Sequence, residues 1–480
     1  GTVSIVSGSN GTCTWNSTTH LINFLPNLGF SGNANCVYKI CQGSTCDTAT
    51  ATVLVAPFKN VLGPNQPIGC KNIATTYPSA SLPKRFNQFG QGTSVSPYVF
   101  YTAEQMQDLA KQNIFPSPFY ISIQSDIDFA SLTNVAPDSL VSIPSNSGIH
   151  ISKIVVFGNN CILSNFKIRN LSAINGVGSG GLFGEISGDA EIYNLRMRNT
   201  NISEGYLNSG SIIGSVDNLI MKDSSSSLFD INSPLNHNLS TPFRSGGLIG
   251  EARGSIKINN SFACGSLKSP GLSGGIIGGF TNKSVSSISD TYFKGKIESV
   301  FSSSESTRSI DLTRDASYWI ATNRAGGIIG GSSGIVFLLQ NSYSSGKLLG
   351  MARSGSRDDL TGYLAGLSAI DEESGGAIIK SSFSTMTVED ATSSTLQMNL
   401  KNTAPISFSN NLTEAYYPGS ICSNGLHCLS NNFGIAINGV SNYFDTISNA
   451  PMNTWGSQWG AKTNLPTLAP GDPCDSYVVP

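Results

Sequence analysis

The sequence predicts an all-β protein whose larger part is a solenoid of stacked coils, and three observations predict it. A pair of aliphatic residues bracketed by glycines recurs along the chain, each copy followed by a second half-pattern built around an aromatic or aliphatic core position. Gly (51 residues), Ser, Asn and Thr dominate, while Lys-, Glu- and Ala-rich helical stretches are almost absent, a composition of short strands and turns. The first 57 residues alternate apolar and polar side chains in runs broken by Gly and Asn. At 480 residues the chain is long enough to bury a substantial core.

Charge and cysteine usage bound the partners and the compartment. Only 12% of residues are charged and the net charge is -2, so there is no basic stripe to neutralise phosphates, and nucleic acid is excluded as an expected partner. No run of eighteen or more apolar residues occurs, so no membrane span is expected in this segment. Gly1 begins inside structured-looking sequence with no leader pattern, and any targeting segment is expected to lie upstream or to have been removed. The ten cysteines include two close pairs, Cys41 with Cys46 and Cys422 with Cys428, whose surroundings lack the His or second CxxC of a zinc site. Disulfides in an oxidising, extracellular place are the expectation.

Residues 1–57 carry antiparallel strand signals at Val3 and Ile5, Leu21 and Phe24, Val37 to Ile40, and Ala49 to Val55. The stretch "PNLGFSGNANCVYKICQGSTCDTATATVLV" resembles the C-terminal half of bacterial immunoglobulin-like modules of the cadherin-like tandem type. That resemblance implies a partial β-sandwich. The strands that should precede Gly1 are missing, so the chain is expected either to be part of a longer multi-module protein or to take the absent strands from a neighbouring molecule. No calcium site carries over, because Asp47 is the only carboxylate in the stretch.

Residues 58–95, rich in Pro, Asn, Gln and Ser around Cys70, read as a linker. Residues 97–129 then change character: Thr102 can cap a short helix whose apolar face is Met106, Leu109 and Ala110, and a strand follows from Phe119 to Phe129. This opening, with Glu104, Gln105, Asp126 and Asp128, and the downstream Gly158, Asn165 and Ile168, resembles the N-terminal cap and first coil of secreted bacterial β-helix domains. A solenoid needs such an end cover, because an open terminal coil templates aggregation.

The repeat itself occurs as "GGLFG" (Gly180, Gly181, Gly184), "GSIIG" at Gly210, "GGLIG" (Gly246, Gly247, Gly250), "GGIIG" (Gly274, Gly275, Gly278), "GGIIG" (Gly326, Gly327, Gly330) and, degenerate, "GYLAG" at Gly362. The second halves are "IYNLRM", "VDNLIM", "INNSFACGSL", "ISDTYFKGKI", "LQNSYSSGKL" and "IKSSFSTMTV". A period of about 30 residues, stretched by insertions, predicts stacked coils in which the aliphatic pair and Tyr292 or Phe293 form a thin core and glycines permit tight corners. These repeats resemble the GLUG motif of secreted and surface bacterial proteins, which implies a right-handed parallel β-helix over 96–480. The fold class is therefore a partial immunoglobulin-like β-sandwich followed by a right-handed parallel β-helix with a short N-terminal capping helix. Insertions near 223–243 and 298–324 read as loops leaving the coil. Residues 440–480, with Trp455, Trp459, Leu465, Pro466 and Leu468, read as a C-terminal cap that plugs the last coil with aromatics.

Chemistry is sparse. "GVGSGG" at Gly176 lacks the βαβ setting of a dinucleotide site and "GLSGG" at Gly271 lacks a nucleophile elbow; glycine density alone produces such matches. The four histidines, His20, His150, His237 and His427, are isolated. No catalytic residue, metal or cofactor is expected, and the chain is read as a non-enzyme. The aromatics Tyr318 and Trp319, with Arg308, Asp311 and Arg314 in the same insertion, are the expected ligand-contact loop. The expected role is an adhesin or structural scaffold on the cell surface, meeting extracellular glycans or cell-surface proteins. One alternative is a subunit that polymerises with itself or joins flanking modules in a fibre or layer. The other is a polysaccharide-active enzyme built on the clusters Arg357 to Asp359 and Asp371 to Glu373.

Overall fold

The computed structural model describes residues 1–17, 20–26, 32–55, 70, 85–112, 115–132, 142–143, 151–169, 178–203, 206–233, 243–269, 271–281, 285–299, 324–332, 336–350, 363–371, 377–390, 403–404, 407–408, 412–418, 435–437, 443–457, 459, 465–466, 468, 474 and 477. The chain divides into two compact units, Gly1–Gln66 and Pro67–Pro480.

The first unit holds one antiparallel three-stranded sheet, ordered Thr2–Gly8, Gly32–Gln42, Thr45–Val55, and a hairpin of Gly11–Asn16 with Leu21–Pro26. Its described core is small, with Ala34 and Cys36 fully buried, and a Cys13–Cys36 disulfide ties the hairpin to the central strand. A covalent tie suits a sheet that buries so little apolar surface.

Among the described residues of the second unit every strand pairing is parallel, within one 23-stranded and one 7-stranded sheet. The coil entered at Leu272 shows the plan. Leu272–Gly274 forms a short arm, the chain reverses through Gly275 and Ile276, Ile277–Phe280 returns, and Val285–Ser299 runs on with a bend at Asp290. Each position stacks in register on its neighbours: Ile277 lies between Ile249 and Ile329, Tyr292 between Phe262 and Tyr343, and Ile297 between Leu267 and Leu348. Columns such as Ile212, Leu248, Ile276 and Ile328, all fully buried, make the core. The fold is thus mostly β, with large parallel sheets in a β-helix-like stack.

The glycines serve close approach, not left-handed torsions, even where one sits at the reversal. None of the GGxxG positions has a left-handed φ. A Cβ on Gly275 would lie 2.1 Å from the Gly327 carbonyl oxygen and from the Phe293 ring, and one on Gly278 would lie 2.4 Å from the Ser245 amide nitrogen. The arm and the returning strand therefore press backbone to backbone, which only glycine allows. The left-handed bends belong instead to Asn194, Asp223, Asn260, Asp290 and Asn341, with φ between 49° and 53°. Side chains in this column bond from coil to coil, Asn260 Nδ2 donating to Asp223 and Asn341 Nδ2 to Asp290.

After every one of these bends except Asn194, which precedes Leu195, comes a small hydroxyl residue, and these form a second ladder inside the wall. Ser224, Ser261, Thr291, Ser342 and Ser382 are fully buried. The Ser342 hydroxyl accepts the Thr291 N–H at 3.2 Å and donates to the Gln340 carbonyl at 2.7 Å, and Ser382 repeats the arrangement one coil on. The buried polar groups satisfy one another along the stack.

Two expectations are corrected, and a third falls mostly outside the described residues. Within 223–243, Ser225–Asn232 is a coil strand rather than a loop: Leu228, at φ 56°, makes the bend that Asn199 makes one coil earlier, and Phe229 and Ile231 enter the core. A serine run reads as loop composition, yet stacked coils bury small side chains, and Ser226 is fully buried. Around 298–324, Glu298 and Ser299 complete Val285–Ser299 and Arg324 opens Arg324–Gly326; residues 300–323 lie outside the described residues. Near 440–480, the described Phe444, Trp455, Trp459 and Cys474 pack along the outward rings of Phe262, Tyr292, Tyr343 and Phe383, back toward earlier coils.

At the other end, Ala103–Ala110 is an α-helix with a capping box: the Gln105 N–H donates to Thr102 Oγ1 at 3.3 Å and Gln105 Oε1 accepts the Thr102 N–H at 3.2 Å. Met106, Leu109 and Ala110 join the main core. Parts of the expected linker are also built in, with Phe86 edge-on to Tyr98 at 5.2 Å and Cys70 bonded to Cys161.

Candidate functional site

The flank carrying Phe262, Tyr292, Tyr343 and Phe383 is the most elaborated surface of the second unit. Parallel register puts these rings one above another at 4.8, 5.0 and 4.8 Å, coplanar to within 2°. Their sequence neighbours Ala263 and Phe293 face the main core, so strand alternation sends this column outward. Phe444 continues the column from Phe383 at 4.6 Å. Trp455 then lies against Phe383 and Tyr343, and Trp459 against Tyr343 and Tyr292. The chain thus descends the stack in the reverse direction and is fastened by the Cys264–Cys474 disulfide, which spans 210 positions.

Polar contacts fix the strap along its length. Trp455 Nε1 donates to the Ser381 carbonyl at 2.8 Å, the Tyr343 hydroxyl to the Pro466 carbonyl at 2.7 Å, and Lys294 Nζ to the Cys474 carbonyl at 3.2 Å. Trp459 Nε1 donates at 3.3 Å to Asp290, the same carboxylate that accepts Asn341 and Asn259.

Beside the strap's end lies a charged row on three successive coils. Asp230 accepts Asn201 Nδ2 at 3.3 Å, and burial followed by the Glu298 charge raises its carboxyl above the usual range. Glu298 is held by Lys296 at 2.5 Å and Lys268 at 3.6 Å. Burial, then Asp230, raises the Tyr477 phenol, while burial raises Asp445 against the opposing pull of Lys294. Farther round, Arg253 bonds Asp217 and Glu185 at 2.6 Å each; burial pulls its pKa down, but the two carboxylates outweigh it and the net shift is upward. Glu251 is buried beside Arg244 at 3.3 Å and accepts Asn208 and Ser215 at 2.9 and 2.7 Å.

The expected ligand-contact residues Tyr318, Trp319, Arg308, Asp311 and Arg314 lie outside the described residues, as do Cys422, Cys428, Asp358 and Asp359. Asp371 closes the strand Ser368–Asp371, and Glu372 and Glu373 lie outside the described residues. Cys41 and Cys46 form a disulfide, one of four among the described residues. Cys70, Cys161 and Asp126 come together like metal ligands, but the two sulfurs are bonded to each other, which leaves a single carboxylate. The strap, the hydroxyl ladder and the Arg253 cluster escaped sequence reasoning. The recurring Asn/Asp–Ser/Thr–aromatic triplet at 260–262, 290–292 and 341–343 was the available signal for the ladder and for the ring column.

No protein-family model and no curated protein matches the chain. Among solved structures, a crystal structure of a "putative immunoglobulin A1 protease" from Bacteroides ovatus is similar over 70% of this chain and 90% of that one, at 15% identity and a TM-score of 0.44. Against the expectation of a non-enzyme, this finding is a correction: a protein of overlapping extent bears a protease description, and the absence of catalysis is not carried forward. A likeness of that strength assigns no residue here a role.

Proposed function

We propose that the chain is an extracellular surface scaffold or adhesin, in which an immunoglobulin-like module precedes a right-handed β-helix of the GLUG kind capped by Ala103–Ala110, and that it meets glycans or neighbouring cells. The observation that carries this reading is the disulfide-latched strap. A stack whose outer aromatic column is sealed by its own chain and fastened over 210 positions suits an oxidising, protease-exposed setting. Low charge density and hydroxyl ladders support the same reading, because they make a stack that stays soluble without a large charged surface. The second reading, a self-assembling fibre or layer subunit, draws support from Thr45–Val55, an eleven-residue strand at the edge of its sheet and largely exposed.

Negative-stain electron microscopy with light scattering, followed by a glycan array, separates them. Single particles that bind glycans or cells support the adhesive reading. Ordered fibres or sheets overturn it in favour of self-assembly, and monomers that bind no glycan or cell overturn both.

A further inference from the structure

Some outward cations of the second unit are matched with acids, and others, such as Lys222, Lys257 and Lys347, form no ion pair among the described residues. Lys153 pairs with Glu191 at 3.3 Å, Arg253 with Glu185 and Asp217, and Lys268 and Lys296 with Glu298. Lys167, Arg196 and Arg198 form no ion pair among the described residues, and all three are at least partly exposed. The topology gathers them. Arg196 and Arg198 are two apart on one strand, so they share a face about 7 Å apart. Lys167–Arg169 belongs to the adjoining coil, about 4.8 Å along the stack and just past the bend at Asn165.

The acids that flank this group are engaged elsewhere. Asp128 accepts the Ala130 N–H at 3.0 Å and Asn165 Nδ2 at 2.7 Å, and Asp230, two coils on from Lys167, accepts Asn201. The strap covers the flank from Phe262 onward and is latched at Cys264; the register runs Arg196, Ser225, Phe262 and Arg198, Ser227, Cys264, so the two arginines stand on the same flank two coils beyond it, with Lys167 one coil further and past the bend, in the column of Asn201 and Asp230. One continuous face is therefore sealed where it is aromatic and open where it is cationic.

We propose that Lys167, Arg196 and Arg198 form a docking surface for an acidic polysaccharide, a chain bearing carboxylate or sulfate groups. Charge complementarity selects the partner: guanidinium forks take carboxylate and sulfate oxygens in pairs, and strand-borne side chains two residues and one coil apart present them at fixed spacing. An acidic glycan fits better than nucleic acid, because three cations on a chain of net charge -2 neutralise too few phosphates for stable binding. This deepens the adhesive reading and rests on it.

The test is interferometry of the full chain against polygalacturonate, dextran sulfate, neutral dextran and a single-stranded oligonucleotide, at low and high salt. The expected result is salt-sensitive binding of polygalacturonate or dextran sulfate, weakened roughly tenfold in Arg196→Ser/Arg198→Ser, with neutral dextran inert. Binding to polygalacturonate alone makes carboxylates the recognised group, and binding to dextran sulfate alone makes it sulfates. Lys257→Ser, an exposed cation on another face, should bind like the parent. Equal melting curves for parent and variants show that folding is intact, and Lys167→Ser is the substitute should the double variant fail to fold. Undiminished binding in the double variant, tighter binding of the oligonucleotide, or no binding to either acidic polymer overturns the inference. Binding to neutral glycans on an array with no acidic-polymer binding overturns this surface alone and leaves the adhesive reading standing.

Discussion

Replacing Gly278 by alanine isolates what the repeat glycines do. Its φ is ordinary, so alanine introduces no torsional strain. The new Cβ would sit 2.4 Å from the Ser245 nitrogen and 2.6 Å from the Gly250 oxygen, about 1 Å inside van der Waals contact with both. Neither atom belongs to a movable side chain. The neighbouring coil is held by the Leu248 and Ile249 N–H groups, both donating to the Ile276 carbonyl at 3.1 and 3.0 Å, so relief requires parting arm from returning strand and weakening about two such bonds. Overpacking of about 1–3 kcal/mol and about 1 kcal/mol for each weakened bond give a loss of about 3–5 kcal/mol. Gly43 supplies the comparison: its φ is +63° with nothing within 4 Å, so alanine there costs about 1 kcal/mol of its own unit's stability. Denaturant unfolding followed by far-ultraviolet circular dichroism measures both. A Gly278→Ala loss no larger than that of Gly43→Ala would refute the close-approach account.

Other expectations follow from the same geometry. Ser342→Ala leaves the Thr291 N–H without its acceptor inside the wall and should cost about 1–3 kcal/mol in the same denaturation assay. Trp455→Ala removes the rings packed on Phe383 and Tyr343 and the bond to the Ser381 carbonyl; it should cost about 3–5 kcal/mol and speed proteolysis of the segment near Trp459, where an unchanged cleavage rate would contradict the strap. Tyr206 and Tyr193 have phenols raised to about 12, chiefly by burial, with Glu191 adding to the shift at Tyr193. The unfolded phenols ionise near 10, so their stabilisation is full below pH 10 and is lost as pH rises from about 10 to 12. Ultraviolet titration of the folded chain should show phenols ionising near 12, and a titration complete by pH 11 would contradict their environment.

Much of the stack was legible because its determinants are local. GGxxG spacing marks where two backbones meet, and the aliphatic pair between the glycines marks the turn of the core. The role of those glycines was misread, since corner and contact glycines look alike in one dimension; the Asn and Asp residues at the bends were the distinguishing clue. Ser225–Asn232 reads as an insertion because serine content reports solvent exposure in ordinary domains, whereas stacked coils bury serine in ladders. The strap could be anticipated in composition, through Trp455 and Trp459, but not in direction. Which surface an aromatic segment covers depends on the outward column at Phe262, Tyr292, Tyr343 and Phe383, assembled from residues 121 positions apart in sequence. For the same reason the Cys264–Cys474 pairing is invisible in spacing, while Cys41 with Cys46 is plain. The unmatched cations Lys167, Arg196 and Arg198 became a group only when the register brought two coils side by side.

Mass spectrometry of unreduced peptides from the native protein tests the account most directly, because it reads the fold and the redox compartment together. The account predicts the cross-links Cys13–Cys36, Cys41–Cys46, Cys70–Cys161 and Cys264–Cys474 with these eight sulfurs fully oxidised. Cys474 joined to Cys422 or Cys428, or free thiols at Cys264 and Cys474 in native material, would contradict a strap latched across the flank of the stack in an oxidising compartment.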